Sequence, residues 1–238
     1  MVKNIKFKDL IIHEDDNYIV VNKPPYLATL EDRASFTNLL SLAREYNENL
    51  TTCHRLDKNT SGALVLSKNE QAYKNMARQF EKREVEKLYH AVVDGTHELE
   101  PIQIDAPLGK LIRGRVKVDF TAGKASSTKV RTAQIFKYHT LMECKPITGR
   151  THQIRAHLSH IKAPIVCDED YGGKPLYLSQ IKRKFNLKKG TEEQPLIKRF
   201  ALHARSISFT DLDGKQVTYE AEYPKDYAVL IKQLEKNI

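Results

Sequence analysis

The sequence predicts an α+β fold, a single domain around a large mixed or antiparallel β-sheet that is flanked by helices and loops. Predicted strands outnumber predicted helices, and the two kinds of element do not alternate regularly along the chain. No repeat, low-complexity tract or clear linker interrupts the 238 residues, so we expect one domain over residues 1–238.

Apolar runs and helical spacing define the elements of the first half. The run 17–22 predicts a buried strand that is closed by two prolines. Apolar residues from Phe36 to Ala43 recur at helical spacing and predict a short helix that starts near Ser35. The run Ala63–Leu66 predicts a second buried strand, and Asn69 after it predicts a helix N-cap. That second helix has an apolar face made of Tyr73, Met76, Ala77 and Phe80.

The second half is richer in strands. One strand is predicted over Leu88–Val93, and at least three more within Val116–Lys145. Two later strands are predicted over Leu202–Phe209 and Gln216–Ala221. A helix is predicted over Thr151–Ile161 with four inward residues, Ile154, His157, Leu158 and Ile161. Pro224 opens a C-terminal helix whose inner face holds Tyr227, Leu230, Ile231 and Leu234.

The charge of the chain is concentrated in two segments. The formal net charge is +9, and the segments Lys110–Arg131 and Ile181–Arg205 carry +6 each, so the remainder nets −3. Clustered positive charge is typical of a surface that binds a polyanion such as RNA. Two solvated lysine-rich loops would give the same pattern, and the charge alone leaves both interpretations open.

Composition excludes several classes of protein. Three cysteines without CxxC spacing, Cys53, Cys144 and Cys167, argue against a disulfide scaffold or zinc ribbon and favour a cytoplasmic protein. Residues Met1–Lys8 show no long apolar core or cleavage site, so we expect no signal peptide. No run approaches the roughly 20 apolar residues of a membrane helix.

The densest polar motif is His54-Arg55-Leu56-Asp57, followed by Lys58-Asn59-Thr60-Ser61-Gly62 and then a predicted strand. A polar loop braced by a buried strand can hold a reactive side chain still. The carboxylate of Asp57 could act as a nucleophile or as a base. An isolated Arg-x-Asp pair more often caps a turn or forms an ion pair, here with Arg55, and it is the braced polar context that favours a reactive role for Asp57.

A second motif runs from Gly149 to His157. Its histidines, with His160, lack the spacing of a zinc motif and have few acidic residues nearby, so we expect no metal. His157 falls on the apolar face and is interpreted as a core histidine, whereas Arg155 lies off that face and can reach a phosphate or carboxylate. Neither a nucleophile elbow nor a glycine-rich phosphate loop occurs, so no nucleotide cofactor is expected.

Five segments in order resemble the RluA-type RNA pseudouridine synthases. They are His54–Gly62, Lys87-Leu88-Tyr89, Gly149–Arg155, Asp168 with Tyr171-Gly172-Gly173, and Leu202-His203-Ala204. The resemblance starts near Leu10 and ends near Pro224. It implies the pseudouridine synthase fold and a cofactor-free isomerisation of specific, flipped-out uridines in structured RNA, either ribosomal or transfer RNA.

The resemblance also implies roles for individual residues. Asp57 would be the catalytic aspartate, Tyr89 would pack on the target base and assist proton handling, and Arg155 would pair with Asp57. Arg55 would hold the base out of the stack. Leu202 would line the pocket, and contacts to the base or RNA are expected from Arg55, His54 and Arg150. The clustered charge of the second basic segment separately predicts RNA contacts for Lys182, Arg183 and Lys184.

Two departures and two alternatives accompany this interpretation. Pro25-Tyr26-Leu27 stands where the family usually has a glycine, and we expect no separate N-terminal RNA-binding module. A non-catalytic RNA-binding or assembly protein could keep the same fold. A small-molecule hydrolase is disfavoured by the positive charge and the missing triad. We expect a monomer, with the target RNA left open.

Overall fold

The computed structural model describes residues 5–31, 37–111, 114–188 and 190–238. Most of its strands form a mixed sheet flanked by helices, and two more form a separate hairpin, which confirms the predicted α+β class. By its internal contacts the chain divides into two compact units. Unit 1 comprises Met1–Tyr89 and His203–Pro224, and unit 2 comprises His90–Leu202 and Lys225–Ile238. The expectation of a single domain stays a prediction.

The helices and strands follow one another along the chain without regular alternation. They are a 3-10 helix Phe7–Leu10, β1 Ile11–Glu14, β2 Tyr18–Lys23, α1 Leu39–Tyr46, β3 Thr51–Thr52, β4 Ser61–Ser67, α2 Glu70–Lys82, β5 Glu86–Asp94, β6 Ile102–Asp105, β7 Leu108–Lys110, β8 Val116–Val118, β9 Ser127–Ile135, β10 His139–Pro146, α3 Gln153–His160, a 3-10 helix Glu169–Tyr171, α4 Leu178–Ile181, β11 Leu202–Thr210, β12 Gln216–Glu220 and α5 Lys225–Lys236.

Unit 1 is organised around β4. This strand pairs antiparallel with β2 and β3 and parallel with β11, while β1 pairs with β2 and β12 with β11. All seven residues of β4 are buried. Because alternate side chains of a strand point to opposite faces, Leu64 and Leu66 join one apolar cluster, whereas Ala63 and Val65 join another. This burial on both faces makes β4 a rigid support for the loop that precedes it.

Gly62 allows β4 and β11 to approach each other closely. The paired residues are His203 with Ser61 and Ala204 with Gly62. Gly62 has φ +121°, and a Cβ at this position would overlap the carbonyl oxygen of Ala204. Only glycine fits this backbone path, which explains the glycine at the end of the Asp57 motif.

Unit 2 contains the antiparallel strands β6, β9 and β10, the hairpin β7–β8, and α3. Six of the eight residues of α3 are buried, so this helix has no solvent-facing stripe of the usual width. Its buried polar side chains are satisfied internally. Gln153, for example, donates from Nε2 to the Ser127 carbonyl (2.9 Å) and to Thr128 Oγ1 (2.9 Å).

Most predicted elements are confirmed, and the first helix is confirmed in part. Strands β2, β4, β5, β11 and β12 lie within one or two residues of the predicted ranges, and β8, β9 and β10 are the three strands expected in 116–145. Ser35 and Phe36, where the first helix was predicted to start, lie outside the described residues. The helix is described from Leu39, with Asn38 as N-cap in a capping box with Ser41.

The buried face of α2 differs from the prediction. Asn69 is the N-cap, as predicted, and accepts a hydrogen bond from the Ala72 N–H (2.9 Å). The buried residues are Ala72, Met76 and Gln79, whereas Tyr73 and Ala77 are exposed. The reason is Gln79, whose amide donates to the Thr210 carbonyl and accepts from the Thr210 N–H, both at 2.8 Å. This pairing with the end of β11 turns the helix and buries a polar residue.

Helix α3 is shorter than predicted. His152 has a left-handed backbone (φ +51°), so the helix starts at Gln153 rather than at Thr151. No described helix is long and apolar enough to span a bilayer.

Candidate active site

Asp57 lies on the short loop that joins β3 to β4 in unit 1. The loop turns tightly, since the Asp57 carbonyl accepts from the Thr60 N–H (3.0 Å). Leu56, immediately before it, is buried in an apolar cluster together with Leu27 and Leu64. The aspartate itself is only half-buried. The side chain is therefore carried by a fixed backbone and retains access to solvent.

Two side chains, one at the end of β2 and one in the segment after it, hold this loop in place. Thr29 Oγ1 donates to the Leu56 carbonyl (2.8 Å) and accepts from the Leu56 N–H (3.1 Å). Lys23, which is fully buried, donates from Nζ to the carbonyls of Pro24 (3.0 Å), Leu27 (2.8 Å) and Lys58 (3.3 Å). These anchors hold the residues on both sides of Asp57. The sequence analysis did not identify these two residues; the available signal was a lysine at the end of the largely apolar strand β2.

Tyr89 on β5 lies in the electrostatic environment of Asp57. Its ring packs against the cluster that contains Leu56. Burial raises the pKa of Tyr89 well above its usual value, and the nearby Asp57 carboxylate raises it further. The phenol is therefore protonated at neutral pH and can pack or donate a hydrogen bond, but it does not supply a base.

His54 connects the loop to the strand. Its Nε2 accepts from the Val65 N–H (3.1 Å), one residue beyond the last pair that β3 makes with β4. Because an N–H donates, Nε2 must be the unprotonated nitrogen of the ring. Burial lowers the pKa of His54 to about 3, with a smaller contribution from Lys87. His54 is thus neutral and holds the Asp57 loop; its predicted contact with RNA stays a prediction.

Arg155 occupies a buried position on α3 in unit 2. Its Nε donates to Asp168 Oδ2 (2.7 Å) and its Nη2 to Asp168 Oδ1 (2.6 Å), a bidentate pair in which both side chains are nearly inaccessible. The guanidinium also lies over the rings of Phe200 (4.2 Å) and Tyr171 (4.6 Å). Planar pairing and stacking together fix its orientation.

Asp57 was the carboxylate expected to pair with Arg155. Within unit 2 the bidentate partner is Asp168, and Asp170 Oδ2 also lies 3.5 Å from Nη2. Burial raises the pKa of Asp168, and Arg155 opposes that shift. A guanidinium has five N–H donors, so pairing with Asp168 does not exclude a second acceptor. Asp57 and Arg155 belong to different units, and their pairing stays a prediction.

The remaining predicted site residues differ in exposure. Arg55, Arg150 and the basic run 182–184 (Lys182, Arg183, Lys184) are exposed, as an RNA contact requires. Leu202 is buried at the start of β11. That Leu202 lines the pocket stays a prediction.

The two basic segments do not present all their charge to solvent. Four of their arginines form ion pairs with carboxylates: Arg115 with Asp170, Arg131 with Glu143, Arg199 with Asp226 and Arg205 with Glu220. Arg199 is buried as well. Arg113 and Lys189 lie outside the described residues. The available positive charge is therefore carried mainly by the lysines and by the run 182–184.

The histidines of the second motif form no metal site among the described residues, where no group of three or more His, Cys, Asp or Glu side chains is suitably arranged. His157 is fully buried, with Nδ1 2.8 Å from Thr128 Oγ1 and Nε2 2.9 Å from the Ala106 carbonyl. This confirms its interpretation as a core histidine. His152 Nδ1 lies 3.1 Å from the hydroxyl of Tyr171.

Comparison with known proteins identifies the family. The family model described as RNA pseudouridylate synthase matches residues 17–160, which include Asp57, Tyr89 and Arg155. The chain belongs to the RNA pseudouridylate synthase family. The predicted resemblance to this family is thereby confirmed.

The named relatives of this chain are also pseudouridine synthases. It is 36% identical over 213 residues to ribosomal large subunit pseudouridine synthase C of Buchnera aphidicola subsp. Baizongia pistaciae, covering 87% of this chain and 64% of the relative. It is 32% identical over 239 residues to ribosomal large subunit pseudouridine synthase D of Zymomonas mobilis, covering 94% and 72%. The chain thus spans about two thirds of these relatives.

A solved structure supports the fold. Human RNA pseudouridylate synthase domain containing 4 superposes with a TM-score of 0.71 at 24% identity and covers 96% of this chain and 95% of that one. At this identity the likeness concerns the fold alone.

Proposed function

We propose that this protein isomerises specific uridines in structured ribosomal RNA to pseudouridine, with Asp57 as the essential carboxylate and without a cofactor. The family membership and the names of the relatives support a catalytic protein rather than the non-catalytic alternative. Ribosomal RNA is favoured over transfer RNA because both of those relatives are named for the large ribosomal subunit.

The observation that carries the proposal is the construction around Asp57. A half-buried carboxylate stands on a loop whose neighbouring residues are held by Lys23 and Thr29 and whose exit strand is buried on both faces. Catalysis requires a reacting group in a fixed position. A carboxylate that merely capped a turn would need no such bracing.

The reaction is balanced without an external reagent. The N1–C1′ bond of uridine breaks, the uracil turns, and C5 bonds to C1′, while the proton lost from C5 is matched by the proton gained at N1. Asp57 would serve the glycosidic centre as nucleophile or base. Tyr89, a neutral phenol whose pKa is raised further by burial, would pack on the uracil or donate a hydrogen bond to it. Arg155 would orient Asp57 through its rigid guanidinium.

The target base must leave its stack before it can react. Base extrusion costs a few kcal/mol and is cheapest in loops and bulges of structured RNA. Arg55, exposed two residues before Asp57, would support the extruded base. Arg150 and the run 182–184 would bind flanking phosphates and offset the cost. We further propose that the enzyme acts as a monomer in the cytoplasm.

The test is substitution of Asp57 by Asn, which preserves shape but removes the charge. An unmodified transcript of large-subunit ribosomal RNA would be incubated with enzyme and its pseudouridines mapped by carbodiimide labelling. We expect loss of turnover with RNA binding retained. Asp213→Asn, at an exposed turn, is the matched control and should be fully active. Turnover of the Asp57 variant within about tenfold of wild type, about 1.4 kcal/mol in barrier, would remove Asp57 from the mechanism.

A further inference from the structure

Tyr26 has an unusual backbone for a residue with a large side chain. It follows Pro25 in the turn after β2, and its φ is +67°, in the left-handed region. Turns with a positive φ at this position strongly favour glycine, since a Cβ is strained there. The chain nevertheless carries a tyrosine, with 42% of its surface exposed. A strained backbone at a surface position is a reason to look for a function of the side chain.

Two of the five other described non-glycine residues with a positive φ have a simpler structural reason. Arg83 is the C-cap of α2, and Lys162 directly follows the C-cap of α3. Helix C-termini commonly contain a left-handed residue. Tyr26 lies at no helix end, so this explanation does not apply to it.

The turn that carries Tyr26 is attached to both neighbours of Asp57. Lys23 Nζ joins the carbonyls of Pro24 and Leu27, one on each side of the turn, to the carbonyl of Lys58. Thr29, three residues after Tyr26, binds the backbone of Leu56 through two hydrogen bonds. The exposed ring is therefore held on the same rigid assembly as the carboxylate, within unit 1.

We propose that Tyr26 stacks on an RNA base adjacent to the uridine on which Asp57 acts, and so positions the target strand. An exposed aromatic ring on a fixed turn is suited to stacking on an unpaired base, which every nucleotide offers irrespective of sequence. Arg55 and Lys58, both exposed on the Asp57 loop, provide positive charge for the adjoining phosphates. This proposal rests on the proposed function, because it assigns Tyr26 to the same RNA.

The first experiment uses the absence of tryptophan from the chain. Tyr26→Trp would introduce a single indole at the turn, and Tyr73→Trp would introduce one on α2 at a tyrosine of equal exposure, 41%. Both proteins would be titrated with the large-subunit ribosomal RNA transcript, with binding followed independently by filter retention. Loss of emission in the Tyr26 variant alone is expected. Equal emission changes in the two variants, or none at saturation, would overturn the proposal.

The second experiment separates stacking from loop shape. Asn tolerates the left-handed backbone but lacks the ring, so Tyr26→Asn removes the aromatic ring while keeping the shape of the turn, and Tyr26→Phe retains the ring. We expect a rise of about tenfold in KM for Tyr26→Asn, which corresponds to about 1.4 kcal/mol, with kcat within twofold and the urea midpoint of unfolding unchanged. Tyr26→Phe should match wild type. An unchanged KM, or a loss confined to kcat, would overturn the proposal.

The two proposals fail in different ways. If wild-type enzyme forms no pseudouridine in the transcript, the proposed function fails, and the tryptophan titration still reports whether RNA reaches Tyr26. If wild type is active and neither Tyr26 experiment distinguishes the variants from their controls, only the stacking proposal fails.

Discussion

Acidification should destabilise the protein through His54. The ring accepts a hydrogen bond from the Val65 N–H, and burial lowers the pKa of the imidazole to about 3. In the unfolded chain the same histidine titrates near 6.5. Below pH 6.5 the unfolded state therefore binds a proton that the folded state does not, and stability falls as the pH drops towards 3.

The magnitude follows from this pair of values. One pKa unit corresponds to about 1.36 kcal/mol, so lowering the pH from 7 to 5 removes up to about 2 kcal/mol of stability through His54. Because the imidazole is half-buried and part of the shift is screened, about 1–2 kcal/mol is the expected range. His54→Gln keeps an acceptor near the position of Nε2 but cannot be protonated, so this contribution should vanish.

Urea unfolding at pH 7 and pH 5 measures the effect. The loss of unfolding free energy between the two pH values should be smaller in His54→Gln than in wild type by about 1–2 kcal/mol. Subtracting the two losses cancels the carboxylates that also titrate in this range. His160→Gln, at an exposed histidine of α3, controls for removal of a histidine elsewhere. Identical pH losses in wild type and His54→Gln would refute the assigned burial and tautomer.

Three further predictions concern the rest of the site. Gly62→Ala should lower the unfolding free energy by at least about 3 kcal/mol, because φ is +121° and the new Cβ would meet the Ala204 carbonyl. A urea midpoint near that of wild type would disprove the close approach of β4 to β11 at Gly62. Asp168→Asn should cost about 3–5 kcal/mol because it leaves the buried Arg155 charge without its bidentate partner, and a loss under about 1 kcal/mol would mean that the charge is satisfied elsewhere. Alanine at all three positions of the run 182–184 should reduce the salt slope of RNA binding by up to about 2–3 with turnover at saturation little changed, whereas an unchanged slope would assign the run to solvent.

Local patterns in the sequence were sufficient for most of the long helices and strands and for the motif of the site. A fully apolar run such as 63–66 can only be a buried element, and Asn69 before a helical pattern caps that helix through its own side chain. These signals depend on neighbours within a few residues, which are visible in the sequence. The Asp57 motif is of the same kind, because it combines a polar loop and an apolar strand in one short segment.

The partners of polar side chains were decided by the tertiary structure. Gln79 pairs with Thr210, 131 residues away. Because of this contact, the buried face of α2 differs from the face that the spacing of its apolar residues predicts. Arg155 has Asp168 as its bidentate partner within unit 2, and the buried Arg199 pairs with Asp226. A hydrogen bond or ion pair needs two groups within about 3 Å, and the sequence separation of such groups carries no periodic signal.

The surroundings of Asp57 show the same division. The sequence by itself determined which carboxylate stands on a braced loop, since the motif and the strand are adjacent. Only the tertiary structure showed that Lys23 and Thr29 hold the residues beside it and that His54 supplies the acceptor for Val65. Buried polar groups must find partners wherever the folded chain places them, so their identity depends on the packing of distant segments and not on the local order of residues.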